Sequence, residues 1–367
     1  MKRPSVAIIG AGIFGVSCAL ELASKTDLRI FLFEQHDDIM REGTFLNQYR
    51  HHFGYHYPRS DETVQQCIAA DADFRSLWGD AIIEGFPAYY AIAKEGSKVS
   101  PEDFLNFCER HSLPYREEYP DLSLLNPDAV SICVRTPEPI YDYARLKRIA
   151  KETLNETSEI QVNLGSRVVG GRIPEQSQAK ILDIERGSSI ESLEFDYVVN
   201  AMYGNNNLFY RWFGFGEREI EYRLKEFLLV KLPIKERTAV TVMDGPFVTL
   251  VATAEPGIFT WGDVPRSIHE TKISKEGIPW TSEEIRTPKS CFTEMKIHDP
   301  YFIPITARAE LIKSMRAVLA IEPQTEKTDQ RLTAITNHGR GCWSVFEGKI
   351  ITAVSTARAL VKEIISG

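Results

Sequence analysis

Basic charge is scarce in this chain: 43 lysines and arginines stand against 51 aspartates and glutamates, a net charge of −8. A general nucleic-acid binder carries the opposite balance, so that class is set aside. Paired cysteines are also lacking. The six cysteines stand at 18, 67, 108, 133, 291 and 342 with no C-x-x-C among them, which disfavours a zinc ribbon or a dithiol redox motif. A chain of 367 residues needs no disulfides to hold its core, so reduced thiols and a cytoplasmic location are expected. No stretch approaches the ~20 apolar residues of a transmembrane segment. The nearest, MKRPSVAIIGAGIFGVSCALELA, opens with Lys2 and Arg3 as a signal peptide does. Three glycines interrupt it, however, and no small-x-small cleavage site follows. Internal repeats and low-complexity linkers are missing too. What remains, 43% apolar and 26% charged, is an ordinary globular composition long enough for two domains.

The first thirty-five residues carry the strongest signal. Ser5 to Ile9 (SVAII) reads as a buried parallel strand. Gly10-Ala11-Gly12-Ile13-Phe14-Gly15 follows as G-x-G-x-x-G, and Val16, Leu20 and Ala23 then share one helical face. Leu28 to Phe33 is a second strand that ends at Glu34, and Glu34 and Gln35 are candidate cofactor contacts. Gly10 permits the turn out of the strand, Gly12 lets backbone approach a pyrophosphate, and Gly15 lets helix and strand pack closely. The helix start at Ile13 and Phe14 offers N–H groups and partial positive charge to phosphates. Glu34, nineteen residues beyond Gly15, can accept both ribose hydroxyls and would repel a 2′-phosphate. Strand, turn, helix, strand and acid together predict an adenine-dinucleotide site, with FAD and NAD both open at this point.

Residues 47–60 read NQYRHHFGYHYPRS: three histidines, three tyrosines and two arginines in fourteen positions. Gly54 and Pro58 make it poor helix material, whereas Asp61 to Trp78 recurs at threes and fours as a helix. His52 and His56 have a spacing that suits two zinc ligands on a helix, but the stretch is not helical and no acid completes a known zinc motif. A loop of aromatics packed in the core is the plainer reading.

A third reading comes from resemblance. The stretch resembles the loop after the ribose-binding acid in the D-amino-acid-oxidase-like (DAO) family of FAD-dependent oxidoreductases. That resemblance implies a loop running along the pyrophosphate to the isoalloxazine ring. Asn47, Gln48 and Arg50 would lie near the cofactor, and His51, His52, Gly54, Tyr55, His56 and Tyr57 would approach the flavin and substrate. Some members attach FAD through a histidine of this loop, which would put His51 or His52 in that role. Two more segments carry the likeness. FDYVVNAMYG (195–204) resembles the family's strand ending in Asn-Ala-x-Gly, placing Ala201 at the cofactor, and Val168 falls where the family makes its adenine-side contact. Near the end, strand 332–336, the turn Asn337-His338-Gly339-Arg340-Gly341-Cys342-Trp343 and helix 349–365 resemble the last flavin-binding turn. N–H donors there, with Arg340 adding full charge, would stabilise the reduced ring.

The cofactor expected is therefore FAD. The fold expected is α/β (α+β overall): a Rossmann-like FAD domain from 1–81, 141–215 and 305–367, and a mostly antiparallel β substrate domain from 82–140 and 216–304. Tyr89, Tyr90, Lys225, Trp261, Arg266 and His269 are candidates for the substrate side, with Tyr57, Tyr89, Trp261 and Arg266 preferred. Arg50, Arg266 or Arg340 could fork a carboxylate. His52 and His56 are the expected bases for removing hydride from a CH–NH or CH–OH carbon of an amino acid, amine, 2-hydroxy acid or sugar derivative. The electron acceptor, whether O₂, a quinone or another, is left open. An NAD-dependent dehydrogenase and a non-catalytic flavin-binding sensor are the alternatives.

Overall fold

The computed structural model describes residues 3–366, apart from Gln176, Pro246 and Glu326. Strand Ser5–Ile9 is buried along its whole length because it lies in the middle of a six-stranded sheet. Arg29–Phe33 and Tyr197–Asn200 flank it in parallel; Ile160–Asn163 extends one side and Cys342–Phe346 the other. Only the edge strand Ala334–Asn337 runs antiparallel, as a hairpin with Cys342–Phe346. Val and Ile on both faces fit such a sheet: helices cover one face, and strands Arg167–Arg172 and Lys180–Arg186 with helix Asn206–Phe213 cover the other. Helix Ile13–Lys25 packs on it beside the last helix, Ala353–Ser366, and Leu20, Leu22, Leu360 and Val361 join one core. Each such side chain contributes about 1.5–3 kcal/mol on burial. Helix Asp61–Trp78 is capped by Ser60 and adds Phe74 and Trp78 to the same core.

The second large sheet has nine strands. It is antiparallel except where Ala239–Met243 runs parallel to Ala88–Ala93. Its spine is the long strand Ile220–Lys231, which pairs with Ile258–Asp263, Ile268–Ser274 and Glu310–Ile321. The last of these corrects the boundary drawn at 305. The 310–321 strand matches strand 220–231 over eleven positions, so the dinucleotide-side chain resumes only near 334. Helix Pro101–Arg110 also escaped the sequence reading, although Ser100, Pro101 and Asp103 spell a capping box. All six cysteines are free and buried. Among the described residues no helix is long and apolar enough to cross a membrane.

Candidate active site between the two sheets

The glycine turn leaves the first strand at its carboxyl end, where ligands of open α/β sheets bind. Gly10 has φ +102°, and a Cβ there would stand 2.4 Å from the Ala201 carbonyl oxygen. A Cβ on Gly15 would lie 1.9 Å from the Gly10 carbonyl oxygen, so helix and turn meet without room for a side chain. Gly12 is different: a Cβ there would meet only Thr44 Oγ1, at 3.6 Å. The helix has no side-chain cap and no acid in its first turn. Its positive end therefore faces an open cradle, the requirement for a pyrophosphate. The Ile13 N–H donates to Thr44 Oγ1 at 3.1 Å. Glu34 is buried, with one oxygen accepting the Ala11 N–H at 3.0 Å and the other the His36 N–H at 2.9 Å. The carboxylate is thereby aimed beside the turn, with lone pairs left for ribose hydroxyls. Val168 packs with Ile9 and Phe33 just under it, the Ala201 N–H donates to the Ile9 carbonyl, and Gln35 is exposed. These residues fit an adenine dinucleotide.

The histidine-rich loop bridges from this turn to the nine-stranded sheet. Asn47 holds its start, accepting from the Tyr49 N–H at 2.6 Å and the Tyr141 hydroxyl at 2.7 Å. Gln48 donates to Thr249 Oγ1 at 2.6 Å. The buried Arg50 donates to the Tyr90 hydroxyl at 2.9 Å and to Thr241 Oγ1, and lies 3.4 Å from Glu138. Glu138 is buried too, accepting from Tyr90 and from the Phe53 N–H. Burial raises its pKa above the usual carboxylate range, against the opposing pull of Arg50. His51 turns away from this interface: its Nε2 is 2.6 Å from Asp71 and its ring packs on Phe74 in helix 61–78. The expectation that it approaches the flavin is corrected on that ground. His52, His56 and Tyr57 stay together, with ring centroids 5.2–6.1 Å apart. Among the described residues the Nδ1 atoms of His52 and His56 are buried without a hydrogen-bond partner, His52 Nδ1 standing 3.8 Å from Glu138.

Two lysines complete the cluster. Lys349 lies 4.4 Å from the Tyr57 ring centroid. Lys225 lies on the sheet face that meets the loop. Leu228 pairs with Trp261, so Phe227 and Lys225 share the face of Gly262, Thr249 and Thr241. Burial, then Arg50, pushes Lys349 down to about 7. Burial, then Arg331 and Arg223, pushes Lys225 down to about 8. Burial and the charges of Lys349 and Arg50 hold His52 well below its ordinary range, and His56 likewise, with Lys225 and Arg331 adding to the pressure. Both imidazoles are neutral at pH 7 and can accept a proton.

Several expected residues lie elsewhere. Tyr89 and Trp261 point to the opposite face of the nine-stranded sheet, into a core with Leu228 and Leu250. There Tyr89 donates to Glu118 and Trp261 donates to Asp299 at 2.8 Å. Arg266 pairs with Asp263 at 2.7 Å on that same side, and His269 meets Glu226 at 2.9 Å. The turn carrying Gly339, Arg340, Gly341 and Cys342 is at the amino end of strand 342–346. The Gly341 carbonyl accepts the Val198 N–H, and a Cβ on Gly341 would meet the Asp196 carbonyl. That is the end of the sheet away from Gly10, roughly 15 Å along a five-residue strand. Arg340 is exposed and, among the described residues, its hydrogen bond goes to the Ser177 carbonyl at 3.5 Å. The carboxyl end of that strand instead delivers Glu347, Gly348 and Lys349 to the site. Gly348 is required because a Cβ would stand 2.2 Å from the Arg331 carbonyl oxygen. Glu138 and Lys349 were missed, although Gly348-Lys349 directly before the last helix was a readable signal.

Residues 5–148 match the DAO family model, described as FAD dependent oxidoreductase. The chain is 25% identical over 359 residues to the FAD-dependent monooxygenase FPY4 of Fusarium mangiferae, covering 95% of this chain and 88% of that one. Glycine oxidase from Geobacillus kaustophilus superposes with a TM-score of 0.73 at 14% identity, covering 100% of this chain and 95% of the other. L-α-glycerophosphate oxidase from Mycoplasma pneumoniae, solved with FAD bound, gives 0.74 at 14%, covering 100% and 94%. At such identity the two solved structures show a shared fold.

Proposed function

We propose that this chain, which belongs to the DAO family of FAD-dependent oxidoreductases, oxidises a small substrate at a CH–NH or CH–OH carbon between its two sheets. FAD, when bound, supplies the two-electron acceptor for the hydride leaving that carbon. The chain supplies the rest. Gly12 and the start of helix 13–25 take the pyrophosphate, and Glu34 takes the ribose. His52 and His56, kept neutral by burial and nearby cations, accept the proton released from the substrate's nitrogen or oxygen. Lys349, standing at the turn before the last helix, takes the charge-placing role expected of Arg340. One observation carries this reading. His52, His56, Tyr57 and Lys349 converge at the carboxyl end of the sheet that holds the glycine turn.

The test is anaerobic mixing of the FAD-loaded protein with panels of amino acids, amines, 2-hydroxy acids and sugar derivatives, following the flavin band. Bleaching by one class supports the reading. Full flavin occupancy with no bleaching by any compound would leave a flavin-binding sensor in its place. The naming of FPY4 as a monooxygenase favours a second reading, oxygen insertion. It would show as a product heavier by one oxygen atom, in place of an imine or carbonyl compound.

A further inference from the structure

Arginines close to the histidine loop and to strand 220–231 each have a carboxylate partner. Arg50 has Glu138, Arg59 has Asp244, Arg331 has Asp329, and Arg223 has Glu221. Lys225 and Lys349 have no carboxylate within ion-pair distance among the described residues, whereas three other lysines do. Lys147 and Lys151 share Asp38, and Lys272 holds Glu270. The two lysines come from opposite walls, Lys225 from the nine-stranded sheet and Lys349 from the turn before the last helix. Both press on His56. Holding two ammonium groups in a confined space without counter-ions costs free energy unless a ligand completes them.

We propose that the substrate carries two negative charges, one gripped by Lys225 and the other by Lys349, with the carbon to be oxidised between them beside His52 and His56. This rests on the function proposed above and names its substrate class: a dicarboxylate or a phosphate monoester. Burial and neighbouring cations lower both lysines, so a bound dianion draws protons onto them. Lys349 faces Arg50, His52 and Tyr57. Lys225 faces Arg331, Arg223 and Asp329, with Asp263 acting on it through the sheet. Ammonium is the binding form, so dianion affinity falls as pH rises through the region of about 7 to about 8.

The probes are malonate, inorganic phosphate and acetate, titrated into the FAD-loaded protein with the flavin band reporting binding. The expected result is that malonate or phosphate binds at least tenfold tighter than acetate and weakens between pH 7 and 9. Lys225→Met and Lys349→Met should each weaken dianion binding at least tenfold, and the arginine variants should keep it within about threefold. Lys225→Met, remote from the cofactor turn, keeps the test decisive if Lys349→Met loses flavin. Preference for malonate marks a dicarboxylate substrate; preference for phosphate marks a monoester. Equal binding of acetate, or methionine variants that bind dianions as the parent does, overturns the clamp. Turnover of monoanionic substrates would survive that result, so the clamp and the oxidase reading fail separately.

Discussion

Gly12→Ala separates cofactor binding from folding. Gly12 has φ −68° and ψ 178°, a conformation that alanine adopts freely. The added methyl would meet no protein atom closer than Thr44 Oγ1 at 3.6 Å. The apo-protein should therefore be as stable as the parent, or more stable by about 0.4–1 kcal/mol through reduced unfolded-state entropy. The same methyl fills the space through which a pyrophosphate approaches the backbone. Losing one or two charge-assisted phosphate contacts, each about 1.5–3 kcal/mol, should weaken FAD about 10²-fold or more. Gly15→Ala is the contrast: its Cβ at 1.9 Å from the Gly10 oxygen forces helix and strand apart, so stability and FAD binding should fall together. FAD titrations of apo-protein by fluorescence quenching, with thermal melts of the same samples, read both quantities. Parent-like FAD affinity in Gly12→Ala would refute the assigned cradle.

Arg50→Met leaves Glu138 buried without its guanidinium, which should cost about 3 kcal/mol and lower the melting temperature by several degrees. Adding Glu138→Gln should recover part of the loss. His52→Asn or His56→Asn should lower flavin reduction rates about 10²-fold or more if that ring is the base. The folded pKa values of both lie below the ordinary 6.5, so the loss of rate that comes from protonating the base should lie on the acid side of pH 6.5. Stability should erode over the same range, because the unfolded chain binds protons that the folded one refuses. Arg340→Ala should leave the flavin midpoint potential unchanged, whereas Lys349→Met should lower it.

Local patterns delivered the dinucleotide half of the fold. The strand, the helix starting near Gly12, and Glu34 at the end of the second strand are set by near-neighbour sterics and periodicity, and helix 61–78 runs from the first to the last residue expected. The errors came from questions that periodicity does not answer. Glycines occur at both ends of strand 342–346, and nothing local says which end lies beside Gly10. Tertiary pairing with Val198 and Asn200 decides it. Tyr89 and Tyr90 are adjacent, and both faces of their sheet are buried, so apolar alternation does not tell core from cavity. Glu138 was hidden for another reason: its partners Tyr90, Phe53 and Arg50 stand about fifty to ninety positions away in the chain.

An absorbance spectrum of the purified protein, taken before and after incubation with FAD and removal of the excess, tests the central claim most directly. Bands near ~450 nm and ~375 nm that stay with the protein are the predicted result, the signature of a held oxidised flavin. A protein that stays colourless after saturation with FAD would contradict the site built from Gly12, Glu34 and the histidine loop.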